Sequence, residues 1–325
     1  MFRVSPLIAI FVAAISILII IYPSNYIAHI QQLTTNIFTN KTTTITSTTQ
    51  SQMNAAKNMS KSLRHAKITP HRSNSRGHSD HGCHFGSLRV LNEDRVKANS
   101  GFPTHPHRDF EIFSYILSGE LTHRDSMLTK GKEGGQSDKF YRMHRGDVQF
   151  TTGGTGIAHS EFNEHKSDTV HFLQIWAIPW KRGLTPRYHT RHFSDESKRQ
   201  DFVKILSPLK GGEEATVQQE KDAEPVIPDT IPIHADFVMA AGIIEPSKKF
   251  EWTVGGGATE QTKRKVYVHV PMTKGGRAKI RLDGREDSEI QEGDGAFIDG
   301  VNAGDKLAVE SIGEAEAEVV VLDTA

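Results

Sequence analysis

From residue 88 onward the hydrophobic positions fall in short runs broken by Gly, Asp and Asn, with little helical periodicity. Such runs predict strands at 88–91, 112–118, 148–151, 170–178, 237–244, 266–270, 278–282, 306–312 and 318–322. In 278–282 the pattern is strict. Ala278, Ile280 and Leu282 alternate with Lys279 and Arg281, the period of two required when one sheet face is buried. Regularly spaced strands and turns predict an all-β protein built as a sandwich or closed barrel. Gly146-Asp147-Val148-Gln149-Phe150 and Gly293-Asp294-Gly295-Ala296-Phe297 set the same Gly-Asp turn before an apolar strand start, which predicts two copies of one architecture. Between the copies, 185–230 carries Pro, Gly and many charges and reads as connector, with one short helix within 194–206.

Upstream of residue 88 the pattern changes. Residues 7–22 are apolar apart from Ser16, with Arg3 before them and Pro23 after; extended through Ile27 and Ala28, the run approaches the roughly 20 residues of a membrane-spanning helix. Residues 1–30 thus read as a signal-anchor-like segment. The alternatives are a cleaved signal peptide, although no small-x-small site follows, and a start at Met53 or Met59. Anchoring through 7–28 places the protein at a membrane if Met1 is the start, and a later start places it in cytoplasm and nucleus. Residues 31–80 read as a disordered linker, because the Thr-rich stretch 34–49 has few large apolar groups to offset the entropy of ordering. The sequons at Asn40 and Asn58 are short enough to arise by chance. His65, His71, His78, His81 and His84 lie among Ser, Arg and Gly and read as a solvated tail.

Charge narrows the partners. Lys plus Arg and Asp plus Glu are each 39, so no net field draws the chain to nucleic acid, and direct nucleic-acid binding is not expected. The single cysteine, Cys83, closes no disulfide within the chain and builds no Cys-based zinc site.

The chemistry concentrates in two segments. In Phe102-Pro-Thr-His105-Pro-His107-Arg-Asp-Phe-Glu111, residues two apart on a strand share a face, so His105 and His107 converge, and Glu111 has the same parity. In Gly154-Thr-Gly156-Ile-Ala-His159-Ser-Glu161-Phe-Asn163 the same spacing joins His159 to Glu161. Two such pairs on facing strands offer three imidazoles and a carboxylate to one ion. No Gly-x-Ser-x-Gly elbow supports Ser160 as a nucleophile, and Gly255-Gly256-Gly257 reads as a turn rather than a phosphate loop.

His105, His107, Glu111 and Gly119 resemble the first cupin motif, and Gly154-x-Gly156-x-x-His159-x-x-x-Asn163 resembles the second. Together with 88–96, His123-Arg-Asp-Ser126 and Gly146-Asp-Val-Gln149, these segments resemble the pirin family, closely over about 88–179 and more loosely from 237 onward. The resemblance implies two cupin-type β-barrels, a bicupin, behind the disordered N-terminal extension: a metal-binding barrel at 81–184, the connector at 185–230 and a metal-free barrel at 231–325, where His269 stands alone. It implies His105, His107, His159 and Glu161 as metal ligands, although the general cupin pattern would use Glu111. On this reading Glu111 instead orients a ligand imidazole from behind. It further implies one divalent ion, with Fe(II) as the leading assignment. Two functions follow. The first is a quercetin 2,3-dioxygenase-like oxygenase on a small aromatic or enediol substrate, with Glu161 accepting the substrate proton; the second is an iron-dependent transcriptional co-regulator that binds a protein partner. One departure stands out: pirins of this type carry a longer aromatic-rich stretch after a His-Gly, whereas here His81-Gly82 passes through Cys83-His84-Phe85-Gly86 almost directly to Leu88, so an early wall of the first barrel is expected to be missing.

Overall fold

Strand alternation becomes two barrels in the computed structural model, which describes residues 66–71, 85–127, 140–257 and 263–325. In chain order its strands are β1 (Lys67–His71), β2 (Leu88–Val96), β3 (Ser100–His107), β4 (Glu111–Ser118), β5 (Leu121–Asp125), β6 (Tyr141–Met143), β7 (Asp147–Thr152), β8 (Ile157–Asn163), β9 (Val170–Ala177) and β10 (Arg187–His192). They continue with β11 (Val203–Pro208), β12 (Ile231–Ile233), β13 (Phe237–Ile244), β14 (Lys249–Thr253), β15 (Lys263–His269), β16 (Lys279–Leu282), β17 (Glu289–Gln291), β18 (Gly295–Asn302), β19 (Lys306–Ser311) and β20 (Ala317–Thr324). The first barrel joins a sheet of order β10-β7-β4-β9-β2 to one of order β3-β8-β5-β6. The second joins β1-β18-β15-β20-β13-β11-β12 to β14-β19-β16-β17.

The stretch 185–230 contributes β10 to the first barrel's sheet and β11 to the second's. It also holds the short helices α1 (Asp195–Gln200) and α2 (Val217–Asp222). Helix α1 starts where Ser194 Oγ accepts from the Ser197 N–H at 3.2 Å, the expected N-cap arrangement.

The Gly-Asp repeat is structural. Gly146 and Gly293 both have φ of 84°, and a Cβ on Gly146 would lie 2.5 Å from the Phe193 carbonyl oxygen. In each copy the Asp N–H donates to the carbonyl three residues back, His144 or Gln291, at 2.9 Å. The Asp carboxylate accepts from the N–H of that same residue.

Burial explains why some strands alternate and others do not. β16 and β19 are buried on one face only, whereas β4, β13 and β20 are buried on both. Those three lie where the barrels meet. Phe113, Tyr115 and Leu117 of β4 pack in one cluster with Phe237, Met239 and Ala241 of β13 and with Val320 and Leu322 of β20. The other faces of β13 and β20 send Val238, Ala240, Val319 and Val321 into the second barrel, which is filled with apolar side chains and Trp252. The first barrel is filled differently. Among the described residues its inner apolar cluster is Ile116, Leu121, Met143, Val170 and Phe172, with Val96 against it. Beside the buried Ile112 and Ile157, much of the remaining interior is polar, with His123, His159, Glu161 and Gln174 buried in it.

A carboxylate ties the barrels together. Glu93 of β2 lies 2.7 Å from His171 Nε2 and 3.0 Å from His269 Nε2, and accepts from the Met272 N–H at 2.8 Å. His269, isolated in the sequence, is thus part of an inter-barrel junction. Burial alone would raise the Glu93 carboxyl, but the hydrogen bonds from His171 and His269 hold it well below the usual carboxylate range. A depressed folded-state pKa contributes stability that is complete above the unfolded value, 4.5, and is lost as the pH falls below it. Glu93→Gln is therefore expected to melt at a lower temperature than the parent at neutral pH and to lose less on acidification below 4.5. Thermal melts between neutral and acid pH check this; parallel curves would refute it.

The expected placement at a membrane requires correction. Among the described residues no helix is long and apolar enough to cross a membrane. The segment 7–28 that carried the expectation lies outside the described residues, as does most of 31–80.

Candidate metal centre

The polar interior of the first barrel is built on three adjacent strands. In the β3–β8–β5 register His105 lies opposite His159, which lies opposite Asp125 on its other side, and Glu161 lies opposite His123. Alternation then turns His105, His107, His159, Glu161, His123 and Asp125 to one face. The sheet places His105 Nε2 3.0 Å from His159 Nε2. The rings of His105, His107 and His159 stand edge to face, with centroids 4.6–4.7 Å apart. The ring nitrogens of these three all lie within 4.8 Å of one another, and a second group at the same spacing joins His123, His159 and Glu161. His159 belongs to both.

The electrostatics favour neutral rings. Burial, reinforced by the neighbouring imidazoles, lowers His107 to about 4, His123 to about 3 and His159 to about 2. At neutral pH these rings therefore carry lone pairs. His107 Nε2 is buried without a hydrogen-bond partner. Burial pushes the Glu161 carboxyl the other way, up to about 7, against the hydrogen bonds it accepts from Gln174 Nε2 at 3.2 Å and Ser114 Oγ at 3.4 Å.

One end of this interior is closed by the apolar cluster around Phe172. Toward the other, the Trp176 ring stands 4.8 Å from His107 and 5.5 Å from Phe110, with its Nε1 buried and unpartnered.

Glu111 lies elsewhere. The turn between β3 and β4 passes through Asp109 at φ 58°, so the shared parity with His105 and His107 inferred from spacing is lost. Glu111 pairs with Thr152 and Ala177 and faces the layer between the barrels, where it accepts from Thr152 Oγ1 at 3.0 Å and lies 3.1 Å from His234 Nδ1. His234 continues to Glu220, and Glu220 to Lys181. The imidazole that Glu111 orients is His234, not one of the rings around His159.

Sequence reasoning missed His123 and Tyr188. The signal for the first was present: His123-x-Asp125 has the spacing of the other two pairs. Tyr188, whose hydroxyl lies 3.2 Å from His123 Nδ1, sits in the stretch read as connector and gave no signal. The shortened passage before Leu88 closes as a bridge between Phe85 and Leu88, with the Phe85 ring 4.8 Å from Phe297 of the second barrel.

Comparisons with known proteins place the chain in a family. Residues 62–177 match the model of the pirin family. Over 237 residues the chain is 31% identical to a Zymomonas mobilis protein named as a candidate quercetin 2,3-dioxygenase, covering 73% of this chain and 83% of that one. This chain belongs to the pirin family. Other relatives place the pirin in the same company. It is 36% identical over 155 residues to the quercetin 2,3-dioxygenase of Escherichia coli K12, an alignment that spans 42% of the pirin and 62%, under two thirds, of that enzyme. The crystal structure of the bacterial pirin YhhW of Escherichia coli in complex with nickel(II) superposes with a TM-score of 0.59 at 25% identity, over 79% of this chain and 99% of that one. The fold is accordingly a cupin pair, and a divalent metal is implied for the family site.

Proposed function

We propose that this pirin is a metal-dependent dioxygenase of the quercetin 2,3-dioxygenase type, acting on flat aromatic substrates with adjacent hydroxyl and carbonyl oxygens. In this reading His105, His107, His159 and Glu161 hold one Fe(II). The carrying observation is the convergence of three imidazoles, one with a buried and unpartnered Nε2, beside a buried carboxyl at the polar end of a barrel. A set of three nitrogens and one oxygen suits Fe(II) among the first-row ions. The bound ion would supply polarisation of a substrate oxygen and one-electron exchange with dioxygen.

The chain's own residues supply the rest. Glu161 is the carboxylate placed to take the proton of an enolic hydroxyl, and Gln174 and Ser114 keep its carboxyl oriented. The unpartnered Trp176 Nε1–H is a donor for a substrate oxygen, and the rings of Trp176 and Phe110 give an aromatic border to the opening. Below, the cluster around Phe172 excludes water. The relatives named quercetin 2,3-dioxygenase support the same substrate class.

The test is direct. Protein loaded anaerobically with Fe(II) and mixed with quercetin in air is expected to bleach the flavonol absorbance with matching oxygen uptake over many turnovers. Stoichiometric iron without turnover would overturn the enzyme reading and leave the partner-binding regulator.

A further inference from the structure

We propose that His123, backed by Tyr188, is a positioning residue that decides which ring nitrogen of His159 carries its proton, and so whether His159 can present Nε2 to a cation beside His105 and His107. The inference rests on the metal-site reading, but its own content is the direction of a row of hydrogen bonds.

His105 fixes that direction at one end. Its Nδ1 lies 2.7 Å from the Pro103 carbonyl oxygen, which can only accept. Nδ1 therefore donates, and a neutral ring so held, the form a cation needs, presents its lone pair at Nε2. Toward that lone pair His159 Nε2, 3.0 Å away, is the donor while no cation lies between them. A neutral His159 protonated at Nε2 has its lone pair on Nδ1, and the group facing that lone pair at 3.0 Å is His123 Nε2. His123 must then donate through Nε2 and accept at Nδ1, where the Tyr188 hydroxyl lies at 3.2 Å. Every hydrogen bond in the row runs from Tyr188 toward Pro103.

Presenting Nε2 to a cation requires the row beyond His105 to reverse. The His159 proton moves to Nδ1 and is donated to His123 Nε2; His123 in turn carries its proton on Nδ1 and donates to the Tyr188 oxygen. Each ring and the phenol hold one proton before and after, so the exchange creates no charge. That matters because His123 and His159 are 0% and 1% exposed, leaving water little room to substitute for either partner. Histidine suits position 123 because it can both donate and accept along one line. Tyr188 is held for the purpose, stacked on His123 at 5.4 Å and on Tyr141 at 5.2 Å.

Zn(II), which is diamagnetic, is the probe. In the metal-free protein, nitrogen-15 NMR of the histidine rings is expected to find the His159 proton on Nε2, and in the zinc-loaded protein on Nδ1. By competition with a chromophoric chelator, His123→Leu is expected to bind Zn(II) about ten- to a hundredfold more weakly, the usual effect of removing the partner of a ligand imidazole. His123→Gln, whose amide can donate or accept, is expected to restore most of that loss, and Tyr188→Phe to show a smaller one. The proposal is overturned if the His159 proton is on Nδ1 in both states, if His123→Leu binds as tightly as the parent, or if His123→Gln is as weak as His123→Leu. Should His123→Leu not fold, the spectra of the parent and the affinity of Tyr188→Phe decide. A parent chain that binds no Zn(II) would sink the metal-site reading, while the metal-free spectrum would still judge the direction of the row.

Discussion

His159→Ala is expected to abolish stoichiometric metal binding and all quercetin-dependent oxygen uptake. No other side chain belongs to both groups of convergent donors, and its ring separates His105 from His123. Alanine there removes the central nitrogen and opens a hole between the remaining rings, so the affinity loss should exceed the roughly hundredfold expected for an outer partner. Glu161→Ala should also lose metal, because it removes the carboxylate of the set. Glu111→Ala should retain it, since Glu111 answers to His234 and Thr152 on the other face of the sheet. Metal analysis of the three purified variants checks this. Retention in Glu161→Ala with loss in Glu111→Ala would refute the ligand assignment.

The second large effect concerns stability. Phe113→Ala is expected to cost about 3–5 kcal/mol, the range for truncating a buried phenylalanine. Phe113 is fully buried and packs against Phe150 of its own barrel at 5.8 Å and Phe237 of the second at 6.0 Å. The cavity would therefore open in the shared layer rather than within either barrel. Both barrels should be weakened together and still unfold in one transition, which urea denaturation followed by tryptophan fluorescence and far-ultraviolet circular dichroism can show. A loss under about 1 kcal/mol, or a transition confined to one barrel, would show that the layer does not couple them.

Much of this was legible in the residues. The short apolar runs located nine of the twenty strands, and His105, His107, His159 and Glu161 were found by i, i+2 spacing because a strand converts that spacing into a common direction. Glu111 shows where spacing fails. Parity holds only along one continuous strand, and the left-handed turn at Asp109 interrupts it. The small strands β5 and β6 were missed for a related reason: around the site inward residues such as His123 and Asp125 are polar, so 121–125 lacks the apolar signature that reveals a strand. Tyr188 was invisible because its role comes from pairing β10 with β7, which sets Tyr188 opposite Thr151, 37 positions away in sequence.

The placement of β1 has a practical consequence for anyone dissecting this molecule. β1 covers the outer side of β18, and β11 covers β13, yet both come from outside 231–325. A fragment limited to those residues would leave the N–H and C=O groups of β13 and β18 uncovered at two borders, and such borders recruit other chains. It should therefore self-associate, whereas a piece that keeps 66–71 and 203–208 should stay dispersed.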